Sequence, residues 1–192
     1  MLFRSVPVLQ GTCLSYGDGI TFWPIAEAIR SASGIDDGDG TEEAIGRIEA
    51  LVGGATEVAE RLAALAGLSS AIFPLDDTAW AVRKLLLHLA GDGPVVLVVD
   101  DVHWAEATLL DLLDRVVGAD GDLPLLVVCA ARPEFLDKHG DWMEPGERTA
   151  RLVLEALSPE EEATVASNLL GGADLPRGLV GAITHEIGRA HV

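Results

Sequence analysis

The chain has little positive charge. Thirteen lysines and arginines stand against 31 aspartates and glutamates, the net charge is −18, and there are only two lysines, Lys84 and Lys138. Such a surface repels a phosphate backbone, so direct nucleic-acid contact is not expected, nor is binding to an anionic membrane. The acidity bears on solubility and on partners, not on the fold. Cysteine is also scarce. Cys13 and Cys129 lie far apart, in no metal-ligand spacing and in apolar, strand-like surroundings. They read as two free thiols in a reducing cytosol. No apolar run approaches the ~18 residues of a membrane-spanning helix. The opening MLFRSVPVLQG has too short an apolar core for a secretory signal. A cytoplasmic protein is expected.

The 192 residues, 49% of them hydrophobic, suffice for one domain of ordinary size with a packed core, with or without a small appendage. Residues 3–14 form a plausible strand broken by Pro7 and Gly11, and Pro24 opens a helix reaching about residue 32. An acidic loop with Asp36, Asp37 and Asp39 reads as a solvated turn. Apolar spacing of three and four predicts helices over 41–52, 56–66 and 76–90. The run VVLVV at 95–99 contains nothing polar, so a strand buried on both faces is expected, as in a parallel sheet. A helix over 105–117 and a second fully buried strand over 125–131 complete a βαβ unit, whose crossover should be right-handed. Residues 134–151 look irregular, and 152–154 could form a short last strand. Ser158, proline and Glu161 give a capping box for a helix to about residue 170, and a last helix is expected from about Pro176.

Ligands of open α/β sheets bind beyond the carboxyl ends of the strands. Asp100 and Asp101 stand at one such end and Arg132 just past another. Two adjacent carboxylates call for a compensating cation. If the strands are neighbours, the acidic pair and the guanidinium suit Mg²⁺ and a terminal phosphate: Asp100 would hold the metal largely through water, Asp101 would orient or deprotonate an attacking water, and Arg132 would bind the γ-phosphate. Plainer readings stand beside this one. The aspartates would cap the following helix; Arg132 would pair with Glu134 or an acidic loop; His103 would be satisfied locally and Trp104 packed under the sheet. Tyr16, His185 and His191 belong to no constellation.

The run LVVDDVHWAEATLLDLL resembles the Walker B segment of signal-transducing AAA-related P-loop ATPases of the STAND type, found in large bacterial LuxR-type regulators and fused to nucleotide cyclases. GTCLSYGDGITFWPIAEAIR, PLLVVCAARPEFL and LEALSPEEEATVASNLLGG resemble the family's front segment, its sensor-1 strand with arginine, and its lid entry. The resemblance covers most of residues 8–180. It implies Asp100 as the Mg²⁺-associated aspartate, Asp101 as the second acid and Arg132 as the sensor arginine, with ATP and Mg²⁺ as cofactors. The implied fold is α/β: an incomplete P-loop-type parallel sheet flanked by helices (1–151), followed by a small helical lid (152–186). Output would come from another domain, a DNA-binding helix-turn-helix or a cyclase, and oligomerisation would accompany it.

Two departures qualify the resemblance. No G-x-x-x-x-G-K-[ST] occurs, so the amide cradle and the phosphate lysine are not in these residues and weak ATP binding, or none, is expected of this chain. The last six residues, IGRAHV (187–192), are what the sequencing-adapter string ATCGGAAGAGCACACGTC encodes, so an artefact is expected there and a fragmentary chain overall. A nucleotide-free interaction module on an ATPase-like scaffold is the alternative function. A phosphatase or receiver-like acidic pocket ranks below both, because a nucleophilic aspartate and a lysine at further strand ends are not found.

Overall fold

The computed structural model describes residues 6–15, 21–118, 123–142 and 144–158, together with 160, 161, 164, 165 and 168. By chain packing, residues 1–143 form one compact unit and 144–192 another.

The first unit is α/β. In chain order it contains β1 (Val8–Thr12), α1 (Trp23–Ser33), α2 (Thr41–Leu51), α3 (Thr56–Leu65), α4 (Leu75–Ala90), β2 (Val95–Asp100), a 3₁₀ turn (Val102–Trp104), α5 (Ala107–Gly118), β3 (Leu125–Cys129) and α6 (Phe135–His139). The three strands form one parallel sheet in the order β1-β2-β3. The helix limits follow local chemistry. Pro24 opens the first turn of α1, and Gly34 ends it in a left-handed conformation, its N–H returning to the carbonyls of Arg30 and Ser31. Asp76 and Asp77 place negative charge in the first turn of α4. α6 lies within the stretch expected to be irregular. It forms because Phe135, 5% exposed, joins the core with Trp142 edge-on at 5.6 Å.

Parallel pairing sets which side chains share a face. Val8, Val96 and Leu126 are in register, as are Leu9, Leu97 and Val127. Leu9, Leu97 and Val99 are buried with Ile25 and Ile29 of α1, Leu85 and Leu86 of α4, and Leu109, Leu112 and Leu113 of α5 in one core. On the other face Val8 is 61% exposed, Leu126 57% and Val128 43%. The expectation of strands buried on both faces is therefore corrected: among the described residues, only one face is closed. β3 is also shorter than expected: it ends at Cys129, because its neighbour β2 leaves the ladder at Asp101 and the Ala130 carbonyl meets the Val102 N–H of the following turn.

The acidic loop is more ordered than a solvated turn requires. Asp39 accepts from the Asp36 N–H at 2.8 Å and lies 3.4 Å from Arg47, which also meets Glu43 at 2.9 Å. In the second unit the expected strand at 152–154 does not form; Leu152, Val153 and Leu154 are 87%, 77% and 91% exposed. The capping box does form. The Ser158 N–H donates to Glu161 Oε2 at 2.8 Å and the Glu161 N–H to Ser158 Oγ at 3.3 Å, which holds the Glu161 carboxyl below its ordinary pKa. The helix expected near Pro176 and the hexapeptide 187–192 lie outside the described residues.

Candidate functional site

The carboxyl edge of the sheet is built by three strands ending at nearly the same level. Thr12 is in register with Asp100, and the Cys13 N–H donates to the Asp100 carbonyl at 2.9 Å. On the other side Val99 pairs with Cys129. The Ala130 N–H then donates to the Val99 carbonyl at 3.0 Å, and the Ala130 carbonyl accepts from Val102 N–H at 2.9 Å. Arg132 emerges two residues later with an exposed side chain. Adjacent strands thus bring the acidic pair and the arginine to one edge of the sheet. Among the described residues Arg132 forms no ion pair, so the pairing with Glu134 is not what holds it.

At Asp101 the backbone reverses. Its φ of 53° and ψ of 37° are left-handed, the only positive φ at a described non-glycine residue. This conformation aims the Asp101 N–H at the Asp100 carboxylate, Oδ1 accepting at 2.9 Å. Val102, fully buried, anchors the turn that follows, and the Trp104 N–H donates to the Asp101 carbonyl at 2.9 Å. Neither aspartate side chain caps a helix: the turn at 102–104 has no side-chain cap, and α5 takes its first bonds from the Glu106 carbonyl. The capping reading of the acidic pair is thereby set aside.

How the two carboxylates tolerate each other has a structural answer. One oxygen of Asp100 is held by a main-chain amide, while the half-exposed Asp101 carboxylate turns toward His103, whose Nδ1 is 3.7 Å from Oδ1. His103 is not locally satisfied as expected, since neither ring nitrogen has a hydrogen-bond partner among the described residues. Trp104 is not packed under the sheet either; it is 47% exposed.

Other groups at this edge escaped the reading of the sequence. Glu27 of α1 accepts from the Thr12 N–H at 2.9 Å, and the Thr21 hydroxyl bonds the Glu106 carboxylate, tying the approach to α1 to the start of α5. GITFWP carried a family resemblance but no assigned role, and single Glu and Thr residues leave no pattern that periodicity reveals. Cys13 lies at this edge too. Burial, then the negative charges of Asp101 and Asp100, push its thiol pKa up to about 11; burial, then Cys13, pushes Cys129 to about 12.

Both thiols should therefore resist alkylation at pH 8 in the folded protein and react once it is unfolded. Folding stability follows the same shifts. A thiol whose folded pKa is raised retains its proton where the unfolded chain, near 9.0, has lost it. Its contribution is complete below pH 9 and disappears as pH rises toward 11–12. Urea midpoints measured from pH 8 to 11 should fall, and a Cys13→Ala/Cys129→Ala variant should show a flatter profile; equal slopes would contradict the assignment.

The sequence profile of the AAA ATPase domain family matches residues 2–128, about two thirds of the chain. The chain belongs to the AAA ATPase domain family. The match includes the whole Asp100–Trp104 turn and ends before Arg132. No curated protein and no solved structure matches the chain. With its parallel sheet and the acidic strand end, this AAA domain is a nucleotide-binding, ATPase-like module of the P-loop NTPase class. Among the described residues, no helix is long and apolar enough to cross a membrane, and no group of three or more His, Cys, Asp or Glu forms a metal-binding cluster. A two-carboxylate edge is nevertheless the donor set Mg²⁺ uses beside phosphates, where water and substrate oxygens complete the shell.

Proposed function

We propose that the chain is the ATPase segment of a cytoplasmic signal-transducing switch of the STAND type, handling ATP and Mg²⁺ at the carboxyl edge of β2 and β3. The observation that carries this reading is the acidic pair at the end of the central strand. Asp100 has one oxygen committed to the Asp101 amide and the other accepting no hydrogen bond among the described residues, at the end of the central strand, with Arg132 past the neighbouring one. Mg²⁺ would neutralise phosphate charge there, held by Asp100. Asp101 would orient or deprotonate the attacking water, and Arg132 would bind the terminal phosphate and stabilise its developing charge. The lid of this reading would be the segment 152–186, as the family resemblance implies. The output, transcriptional or cyclase, belongs to a further domain, as the acidity of this segment suits; oligomerisation is part of the same reading. The two free thiols agree with a reducing compartment.

The uncovered sheet face supports a second reading, a scaffold for partner docking without nucleotide. Mn²⁺ in place of Mg²⁺ separates the two. With ADP present, Mn²⁺ should broaden the amide resonances of Asp101, Val102 and Ala130 in a saturable manner, at high nucleotide concentration because no phosphate-loop motif is present. Asp100→Asn, which keeps the acceptor for the Asp101 amide, should weaken the effect by about tenfold or more. Broadening that is absent, or indifferent to this substitution, would leave the docking reading.

A further inference from the structure

We infer that His103 is the positioning residue for the Asp101 carboxylate, donating its Nδ1–H to Asp101 Oδ1 and holding that carboxylate turned away from Asp100. The imidazole is only 9% exposed, and both of its nitrogens are buried without a hydrogen-bond partner among the described residues. Buried polar atoms are almost always bonded, so one left unpaired beside a left-handed residue calls for an explanation, and such residues cluster at functional sites. The nearest candidate partner is Asp101 Oδ1, 3.7 Å from Nδ1. That is beyond the 2.7–3.2 Å range of such a bond. The side chain of Asp101 is half exposed and the imidazole is packed, so the carboxylate is the partner with room to rotate into the bond.

The backbone explains why a histidine two residues on is the group in place. Asp101, in the left-handed conformation, gives its amide to the Asp100 carboxylate, and the 3₁₀ turn at 102–104 that follows brings His103 Nδ1 to 3.7 Å from the Asp101 carboxylate. Trp104, its ring 5.0 Å from the imidazole and tilted by 44°, limits where the imidazole can go. A base oriented by a second group, itself held by packing, is a recurrent arrangement at sites that activate a water or hydroxyl. The consequence for catalysis rests on the role proposed for Asp101; the pairing itself does not.

The test therefore has two arms. Long-range ¹H–¹⁵N spectra of the imidazoles in the full chain, with His103 assigned by its loss in His103→Asn, should show the Nδ1–H tautomer. Asp101→Asn keeps an acceptor and should preserve it. Asp101→Gly, which adopts the left-handed conformation freely, should return the ring to the Nε2–H form. An Nε2–H tautomer in the wild type, or Nδ1–H unchanged in Asp101→Gly, overturns the pairing whether or not nucleotide binds. In the second arm, His103→Phe should lower ATP turnover about tenfold with KM little changed, and His103→Asn, whose amide can donate from nearly the same position, should recover most of it. Loss of nucleotide binding in the wild type itself would count against the proposed function while the tautomer still decides the pairing. Equal losses in both variants, or a change confined to KM, would contradict positioning.

Discussion

Gly11→Ala should lower the melting temperature by about 6–12 °C, corresponding to about 3 kcal/mol or more for a chain of this size. A Cβ at Gly11 would lie 1.9 Å from the Pro24 carbonyl oxygen, 2.5 Å from its carbon and 2.6 Å from its Cα. All three are backbone atoms, so no side chain can rotate out of the way. Either α1 must lift off β1 or β1 must shift along β2. Lifting α1 exposes Ile25, Ala28 and Ile29, each buried to 2% or less. Shifting β1 breaks a ladder from Val8 to Thr12 and the bond from Cys13 to the Asp100 carbonyl, which also fixes the level of the acidic pair. Gly46→Ala is the internal control. It lies on the exposed side of α2 with nothing within 4 Å of its Cβ position, and should stabilise by about 0.5–1 kcal/mol. Calorimetry on the two variants reads both signs, and a Gly11→Ala protein melting with the wild type would show that α1 does not pack so closely.

The helices were legible because punctuation and periodicity agree. Thr41, Thr56, Pro24 and the Gly91–Pro94 turn mark limits that the structure keeps within a residue or two. The parallel sheet was legible too, since VVLVV and LLVVC flank a helix of crossover length. What the runs cannot encode is which face the helices cover. An unbroken apolar strand carries no period-two signal, so Val99 and Val128 look alike in sequence although one is fully buried and the other is 43% exposed. The positions of Asp100, Asp101 and Arg132 at one sheet edge followed from strand ends alone. The left-handed turn at Asp101 did not, because aspartate adopts it without any neighbouring glycine to announce it. The sequence offers only a locally satisfied His103 for the same reason: its relation to Asp101 depends on that turn, not on spacing.

The acidic edge and the one-sided sheet are linked physically. The turn at Asp101 is held from below by Val102 in the closed face and from beside by Ala130 leaving β3. The carboxylates are thus positioned by backbone bonds between adjacent strands, so their placement survives as long as β2 and β3 stay in register. Charge at the edge is tolerated because the amide of Asp101 and the exposure of its carboxylate supply solvation that the interior does not.

Two leucines on neighbouring strands should respond oppositely to the same substitution. Leu97→Lys should leave the protein unfolded at room temperature, and Leu126→Lys should leave its stability within about 1 kcal/mol of wild type. Leu97 is 2% exposed and stands in register between Leu9 and Val127, on the face closed by the helices. An ammonium there has no partner in the core, and burying an unpaired charge costs several kcal/mol, comparable to the roughly 5–15 kcal/mol that holds a domain together. Leu126 is 57% exposed, so its lysine reaches water at once and loses only a modest strand preference. It also places a charge on β3, among the described residues an edge strand, whose apolar Leu126 and Val128 present a template for association. Circular dichroism should report the loss of structure in Leu97→Lys, and light scattering on heating should be lower in Leu126→Lys than in wild type. If the two variants unfold alike, both faces of the sheet are covered in solution, and the one-sided packing described above is not the state the protein adopts.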